Sequence, residues 1–198
     1  MIVKAESNRE YFDKLGNKGK FLLIMKNEGF NVPKAYVLDS DTYDDTVRSG
    51  GIESKIQEAL NILNKDNVRE TSEKIGELFN TLKLPDAISK EIGDLVDKDK
   101  LYAVRSSGTK EDLDEFSFAG QYQTFLNTPA SEIEDKVILC YKSMFSEIIL
   151  SYLINKTIDL SELKMSVVIQ EMVRKRREEH RLPAPLGAED GHADAFLA

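Results

Sequence analysis

The chain has 198 residues, 41% of them apolar and 31% charged, which suits one domain of one or two lobes with a buried core. A formal net charge of −8 without any outstanding basic block excludes nucleic acid as the main partner. The single cysteine, Cys140, excludes an internal disulfide and a cysteine-based zinc site, and no apolar run approaches the ~20 residues of a membrane span. With no cleavage signal at the N-terminus, the expectation is a cytoplasmic protein without a membrane partner.

Taken in chain order, the first readable element is Leu15-Gly-Asn-Lys-Gly-Lys-Phe-Leu-Leu-Ile-Met25. Its apolar spacing predicts a helix over 19–28. Gly16 and Gly19 bracket Lys18, which leaves two readings open. Lys18 is an ordinary solvated lysine at a helix start, or its ammonium joins the helix N–H groups in attracting phosphate. The glycine and lysine spacing is not that of a P-loop.

Asn31 to Leu38 reads as a turn into a strand over 35–38, with Pro33 just ahead of it. Asp39, Ser40 and Asp41 supply caps for a short helix. Three helical stripes follow: Ile52, Ile56, Leu60 and Leu63; Ile75, Leu78, Phe79 and Leu82; and Ile88, Ile92, Leu95 and Val96, the last opened by Pro85. They predict core-facing helices, among them 68–82 and 86–97.

Leu101-Tyr-Ala-Val104 suits a buried strand that ends on Arg105, and Ser106, Ser107, Gly108 and Thr109 follow at once. A guanidinium beside backbone and hydroxyl donors can surround an anion. The plainer alternative is a hairpin whose polar loop happens to hold an arginine. A returning strand is expected over 123–127. A long helix over 131–155 follows, with Ile133, Val137, Cys140, Tyr141, Met144, Phe145, Ile148 and Tyr152 on its core side. Ser131 and Glu134 fit a capping box. Lys164 to Val173 is rich in β-branched residues and predicts a strand over 165–172.

After Val173 the composition changes. Both histidines, His180 and His192, lie there, and the segment shows no sustained period. Residues 174–198 are therefore expected to be a disordered tail, set apart from a domain over 1–173.

Four submotifs stand in order in the middle of the chain: Val104-Arg105-Ser106-Ser107, Glu111-Asp112-Leu113, Ser117-Phe118-Ala119-Gly120-Gln121 and Thr124-Phe125-Leu126-Asn127. Together they resemble the signature of the pyruvate phosphate dikinase and phosphoenolpyruvate synthase family in its N-terminal ATP-binding domain, which rifampicin phosphotransferases share. Gly16-Asn17-Lys18-Gly19 is similar to the family's Gly-Gly-Lys-Gly element, with Asn17 in place of a glycine, and Gln170 to Val173 is similar to its Val-Gln-x-Met-Val element. Where the family carries arginines, this chain has Ile148 and Leu153. The resemblance stops at Val173, which implies that the tail over 174–198 is non-homologous.

The resemblance implies an α+β fold of ATP-grasp type, of which this chain is the first lobe, apparently truncated. It implies that Lys18 and Arg105 bind phosphate oxygens, that Ser106 and Ser107 shape the loop, and that Thr124 lines the phosphate site. Gln170, Glu171, Met172 and Val173 would hold adenine. The implied partners are ATP with Mg²⁺, a second lobe and a phosphohistidine domain. The magnesium ligands and acceptor histidine are expected outside this chain, so no catalytic or metal residue is assigned within it. On this reading the parent is a phosphotransferase that uses ATP to phosphorylate a histidine carrier en route to pyruvate. The chain alone is expected to be incomplete and inactive. The alternatives are a stand-alone nucleotide-binding or regulatory module, an inactive truncated product, or the ATP-binding part of a rifampicin phosphotransferase-like enzyme.

Overall fold

Among the described residues, five short strands form one antiparallel sheet: β1 (Ile2–Lys4), β2 (Ala35–Leu38), β3 (Leu101–Gly108), β4 (Thr124–Pro129) and β5 (Met165–Glu171), in the order β1-β2-β5-β3-β4. The computed structural model describes residues 2–4, 9–108, 122–156 and 164–173. The Glu111–Leu113 and Ser117–Gln121 submotifs and the expected tail over 174–198 lie outside the described residues. The architecture is mixed helix and strand with a small antiparallel sheet.

The last of these five strands in sequence lies at the centre of the sheet. β5 pairs Ala35–Leu38 on one side and Tyr102–Gly108 on the other, so Leu101–Arg105 and Val167–Gln170 share one sheet. Pairing fixes which side chains share a face, because directly opposed residues point the same way. Tyr36, Leu38, Tyr102, Val104, Val167 and Ile169 face one side, and Ala35, Val37 and Val168 face the other.

The first face carries most of the core. Over it lie α2 (Ser40–Ser49), α3 (Glu53–Asn61), α4 (Val68–Leu78), α5 (Asp86–Leu95), α6 (Ile133–Ser143) and α7 (Glu147–Lys156). They supply Val47, Ile56, Leu60, Ile75, Ile92, Val137 and Tyr141 among others. Asp39 caps α2, its Oδ1 accepting from the Thr42 N–H at 3.0 Å, and Pro85 occupies the N-cap of α5. The second face carries α1 (Gly16–Asn27), whose Leu22 and Leu23, with Leu15 just ahead of it, pack on Ala35, Val37 and Val168.

The 131–155 region departs from the sequence expectation in three ways. A 3-10 turn over Ala130–Glu132 precedes α6, whose N-cap has no side-chain hydrogen bond. Glu134 instead accepts from the Ser89 hydroxyl at 2.6 Å, so the capping box does not form. The helix also breaks between α6 and α7, where Met144, Phe145 and Ser146 donate to carbonyls three residues back. That tightening shifts the helical phase. Ile148 is consequently 65% exposed, and Ile149, Leu150 and Leu153 are buried instead.

The stretch Ala130–Asn155 is, by length and composition, apolar enough to cross a membrane, although its apolar residues do not form one uninterrupted run; half of its most apolar window is buried. Its apolar residues Ile133, Val137, Cys140, Tyr141 and Leu150 belong to the core under the sheet.

Candidate functional site

The face that carries α1 also gathers most of the residues singled out in the sequence. On β3 the pleat places Ala103, Arg105 and Ser107 on this side. Their register partners on β5 are Gln170, Val168 and Ser166, and Thr124 on β4 lies opposite Arg105. A row Thr124–Arg105–Val168 therefore crosses three strands, with Ala103–Gln170 one row along and Ser107–Ser166 on the other side. Thr124 is exposed, and Arg105 and Gln170 are half-buried.

Arg105 stands out within this row. Its Nε is buried and has no hydrogen-bond partner among the described residues. A guanidinium carries five N–H donors in a rigid fork, and a buried donor left unsatisfied costs about 1–3 kcal/mol. A ligand oxygen or the neighbouring chain would relieve that cost.

Lys18 reaches the same face through the start of α1. Its backbone N–H donates to Ser107 Oγ at 3.1 Å, and the Gly19 N–H donates to the same oxygen at 3.4 Å. Ser107 Oγ in turn donates to the Leu15 carbonyl at 3.1 Å. Leu15, at the N-cap, offers no polar side chain, so a serine from a distant strand performs the capping. Two N–H groups that the sequence suggests for phosphate are thus already engaged inside the protein. No acidic residue lies in the first turn of α1, which leaves its positive end uncompensated by that turn's own side chains.

The close approach of α1 to β3 depends on Gly16. Its φ is +59°, and a Cβ there would lie 2.4 Å from the Ser107 carbonyl oxygen. Asn17, the departure from the family's glycine pair, does not have a positive φ; Asn127 is the only non-glycine residue with one among the described residues.

The remaining candidates occupy other positions. Ser106 is buried on the opposite face, and its hydroxyl donates to the Gln123 carbonyl at 2.8 Å. Glu171 faces away from Gln170 by strand alternation, and its carboxylate pairs with Lys100 at 2.5 Å. That contact raises the Lys100 ammonium above its ordinary value, chiefly through the hydrogen bond it donates to the Glu171 carboxylate. The backbone N–H groups of Glu171 and Met172 bond to the Lys34 and Leu101 carbonyls. Val173, the first residue past these bonds, is 73% exposed.

One feature is not evident in the sequence. Between the pairs Val104–Phe125 and Tyr102–Thr128, β4 has two residues, Leu126 and Asn127, where β3 has only Ala103. This is a β-bulge, with Asn127 at φ +56°. The Asn127 N–H is directed at Met172 Sδ, 3.0 Å away, so the end of β5 is tied across β3 to the bulge. An asparagine near a strand end was the only signal available.

Beneath the site, Cys140 is buried against the Gln123 carbonyl, 3.9 Å from its sulfur. Burial pushes its thiol up to about 12, against smaller lowering effects from the Ser106 backbone and the Lys18 charge. It stays a protonated core residue. Among the described residues no group of three or more His, Cys, Asp or Glu is gathered as a metal site. A polar cleft of about 280 Å³ lies elsewhere, between α2 and α3, lined by Tyr43, Arg48, Gln57 and Lys164 among others.

The family model described as "Pyruvate phosphate dikinase, AMP/ATP-binding domain" matches residues 12–183. A probable phosphoenolpyruvate synthase of Methanothermobacter thermautotrophicus is 34% identical over 170 residues, covering 80% of this chain and 25% of that protein. The phosphoenolpyruvate synthase of Deinococcus radiodurans is 31% identical, covering 90% of this chain and 24% of that protein. A rifampicin phosphotransferase of Bacillus subtilis is 29% identical, covering 80% of this chain and 19% of that protein. The chain thus spans a quarter or less of the length of these relatives.

Proposed function

Because the chain belongs to the pyruvate phosphate dikinase AMP/ATP-binding domain family, we propose that the α1 face of its sheet binds ATP as part of a phosphoenolpyruvate synthase-like phosphotransferase. The supporting observation is Arg105, a cation with a buried Nε lacking a partner among the described residues, set in a row with Thr124. Arg105 forks onto phosphate oxygens, and Thr124 offers its hydroxyl beside it. Lys18 brings a second positive charge from the start of α1. A polyphosphate offers oxygens to both cations. The side chain of Gln170, one row along beside Ala103, and the backbone past it, Met172 to Val173, receive the adenine. Ser106 and Ser107 shape the strand end through internal bonds. Glu171 holds Lys100 from the opposite face.

Magnesium would accompany the nucleotide and neutralise its phosphates. This reading places the protein within an ATP-grasp type domain, as the lobe that carries the phosphate cations. Phosphoryl transfer to a histidine and then to pyruvate belongs to the longer relatives' reading and needs a closed, water-excluding site. A second reading, the ATP-binding part of a rifampicin phosphotransferase-like enzyme, is favoured by the Bacillus subtilis relative, and it uses the same nucleotide residues.

Calorimetry with Mg-ATP tests the proposal. The isolated chain is expected to bind at millimolar affinity, worth about 4 kcal/mol, and Arg105→Ala is expected to abolish the signal. Tight binding that survives Arg105→Ala would refute the site.

A further inference from the structure

Two buried hydroxyls on neighbouring strands close on the turn that starts α1. Ser107 and Ser166 are register partners on β3 and β5, and both are fully buried. Ser107 Oγ accepts from the Lys18 and Gly19 N–H groups and donates to the Leu15 carbonyl. Ser166 Oγ lies within hydrogen-bond distance of that same Leu15 carbonyl and, at 2.9 Å, of the Ser107 carbonyl. Gly16, the residue between this carbonyl and Lys18's own turn, approaches β3 so closely that no side chain fits.

The rest of the α1 contact is aliphatic: Leu15, Leu22 and Leu23 on Ala35, Val37 and Val168. Packing of that kind is non-directional and does not by itself fix how far a helix slides or turns on a sheet. A helix advances 1.5 Å and turns about 100° per residue, so a small slip carries a side chain at its first turn to another position. Directional bonds at Leu15, Lys18 and Gly19 prevent that slip.

We propose that Ser107 and Ser166 are positioning residues for Lys18. They fix the first turn of α1 against β3 and β5, and so hold the Lys18 ammonium on the Arg105 face. Ser107 acts from inside the protein rather than on the nucleotide, and Ser166, which no sequence motif marks, works with it. This inference rests on the reading of that face as a nucleotide-phosphate site, and it assigns its geometry to two residues that do not touch the ligand.

The test is saturation-transfer NMR titration of the chain with Mg-ATP and, separately, with adenosine, which lacks phosphates. The proteins are wild type, Arg105→Ala, Ser166→Ala, Ser107→Ala, Lys18→Ala and the Ser166→Ala/Lys18→Ala double variant, each checked for folding by thermal melting. Ser166→Ala is expected to weaken Mg-ATP about fivefold, the effect of one hydrogen bond, and to leave adenosine unchanged. In the Lys18→Ala background it is expected to have no further effect, as required of a residue that acts through Lys18. Equal losses for ATP and adenosine, or an additive loss in the double variant, would show a merely structural role and overturn the inference. Unchanged ATP binding in Ser166→Ala, with Arg105→Ala still damaging, would overturn the inference alone. If wild type shows no preference for ATP over adenosine, the phosphate-site reading fails and the inference falls with it. Should Ser107→Ala not fold, the Ser166→Ala and double-variant arms carry the decision.

Discussion

The two faces of the sheet are built from the same strands, yet they are finished differently. On one, Tyr102, Val104, Val167 and Ile169 sink into a core roofed by six helices. On the other, a small aliphatic patch under α1 gives way to Thr124, Arg105 and Gln170. Adjacent residues on one strand serve different ends: Val104 closes the core while Arg105 keeps a donor without a partner among the described residues. The first face supplies stability and the second holds groups that stability alone does not require. Substitutions on the two sides should therefore separate folding from binding.

The largest effect is expected from the core side. Ile169→Ala removes a side chain that is 1% exposed and should cost about 2–5 kcal/mol of unfolding free energy. The protein that remains folded should bind Mg-ATP as wild type does, measured by urea melts beside calorimetry. A core variant that lost nucleotide affinity without losing stability would break the division between faces.

Gly16→Ala comes next. The added methyl meets the Ser107 carbonyl, and the residue would be held at φ +59°. A loss of about 2–3 kcal/mol is expected, concentrated in α1. Hydrogen exchange should show α1 amides losing protection ahead of those in α6.

Alkaline pH should weaken the core face as well. The Cys140 thiol is pushed from its ordinary value of 9.0 up to about 12 by burial. Its folded value lies above its unfolded one, so its contribution is fully present below pH 9. It is lost as pH rises towards 12. By pH 10.5 the loss is about 2 kcal/mol. Tyr43 and Tyr141, raised by the same desolvation, add to the fall at higher pH. Urea melts at pH 8 and 10.5 measure it, and Cys140→Ala should reduce the dependence without abolishing it, the two tyrosines supplying the rest.

The smallest stability effect is expected at Arg105. Removing Arg105 relieves the unmet Nε donor but also loses the packing of the half-buried stem; the two offset, so stability should change by no more than about 0.5 kcal/mol net, while ATP binding is eliminated. A strongly destabilised Arg105→Ala would mean that the residue is structural, and the contrast between the faces would lose its sharpest member.

Much of this was legible in the sequence, for identifiable reasons. The β2, β3 and β5 strands and the α4 and α5 helices follow from period and from breakers such as Pro33 and Pro85. The core role of Cys140 follows from its place in a helical stripe. β1 was not foreseen, because three residues carry no period. Ile148 was misplaced, because a tight turn at Met144–Ser146 resets the helical phase without any proline or glycine to mark it. The gathering of Arg105, Thr124 and Gln170 on one face follows from strand order and register, which long-range pairing decides. Ser166 had no signal at all, since a serine in a β-branched run reads as filler until its partner strand is known.

The central position of β5 has a consequence for how the protein comes to exist. β2 and β3 are each paired through a strand that leaves the ribosome last among the five. At ~5–20 residues per second, β2 emerges on the order of ten seconds before its partner. During that interval its Tyr36–Leu38 backbone and the Ala103–Ser107 backbone of β3 present open hydrogen-bonding edges, the kind that recruit other chains. Nascent chains that stop short of Met165 should therefore associate or be captured by chaperones, and those that pass Glu171 should become soluble over a span of a few residues.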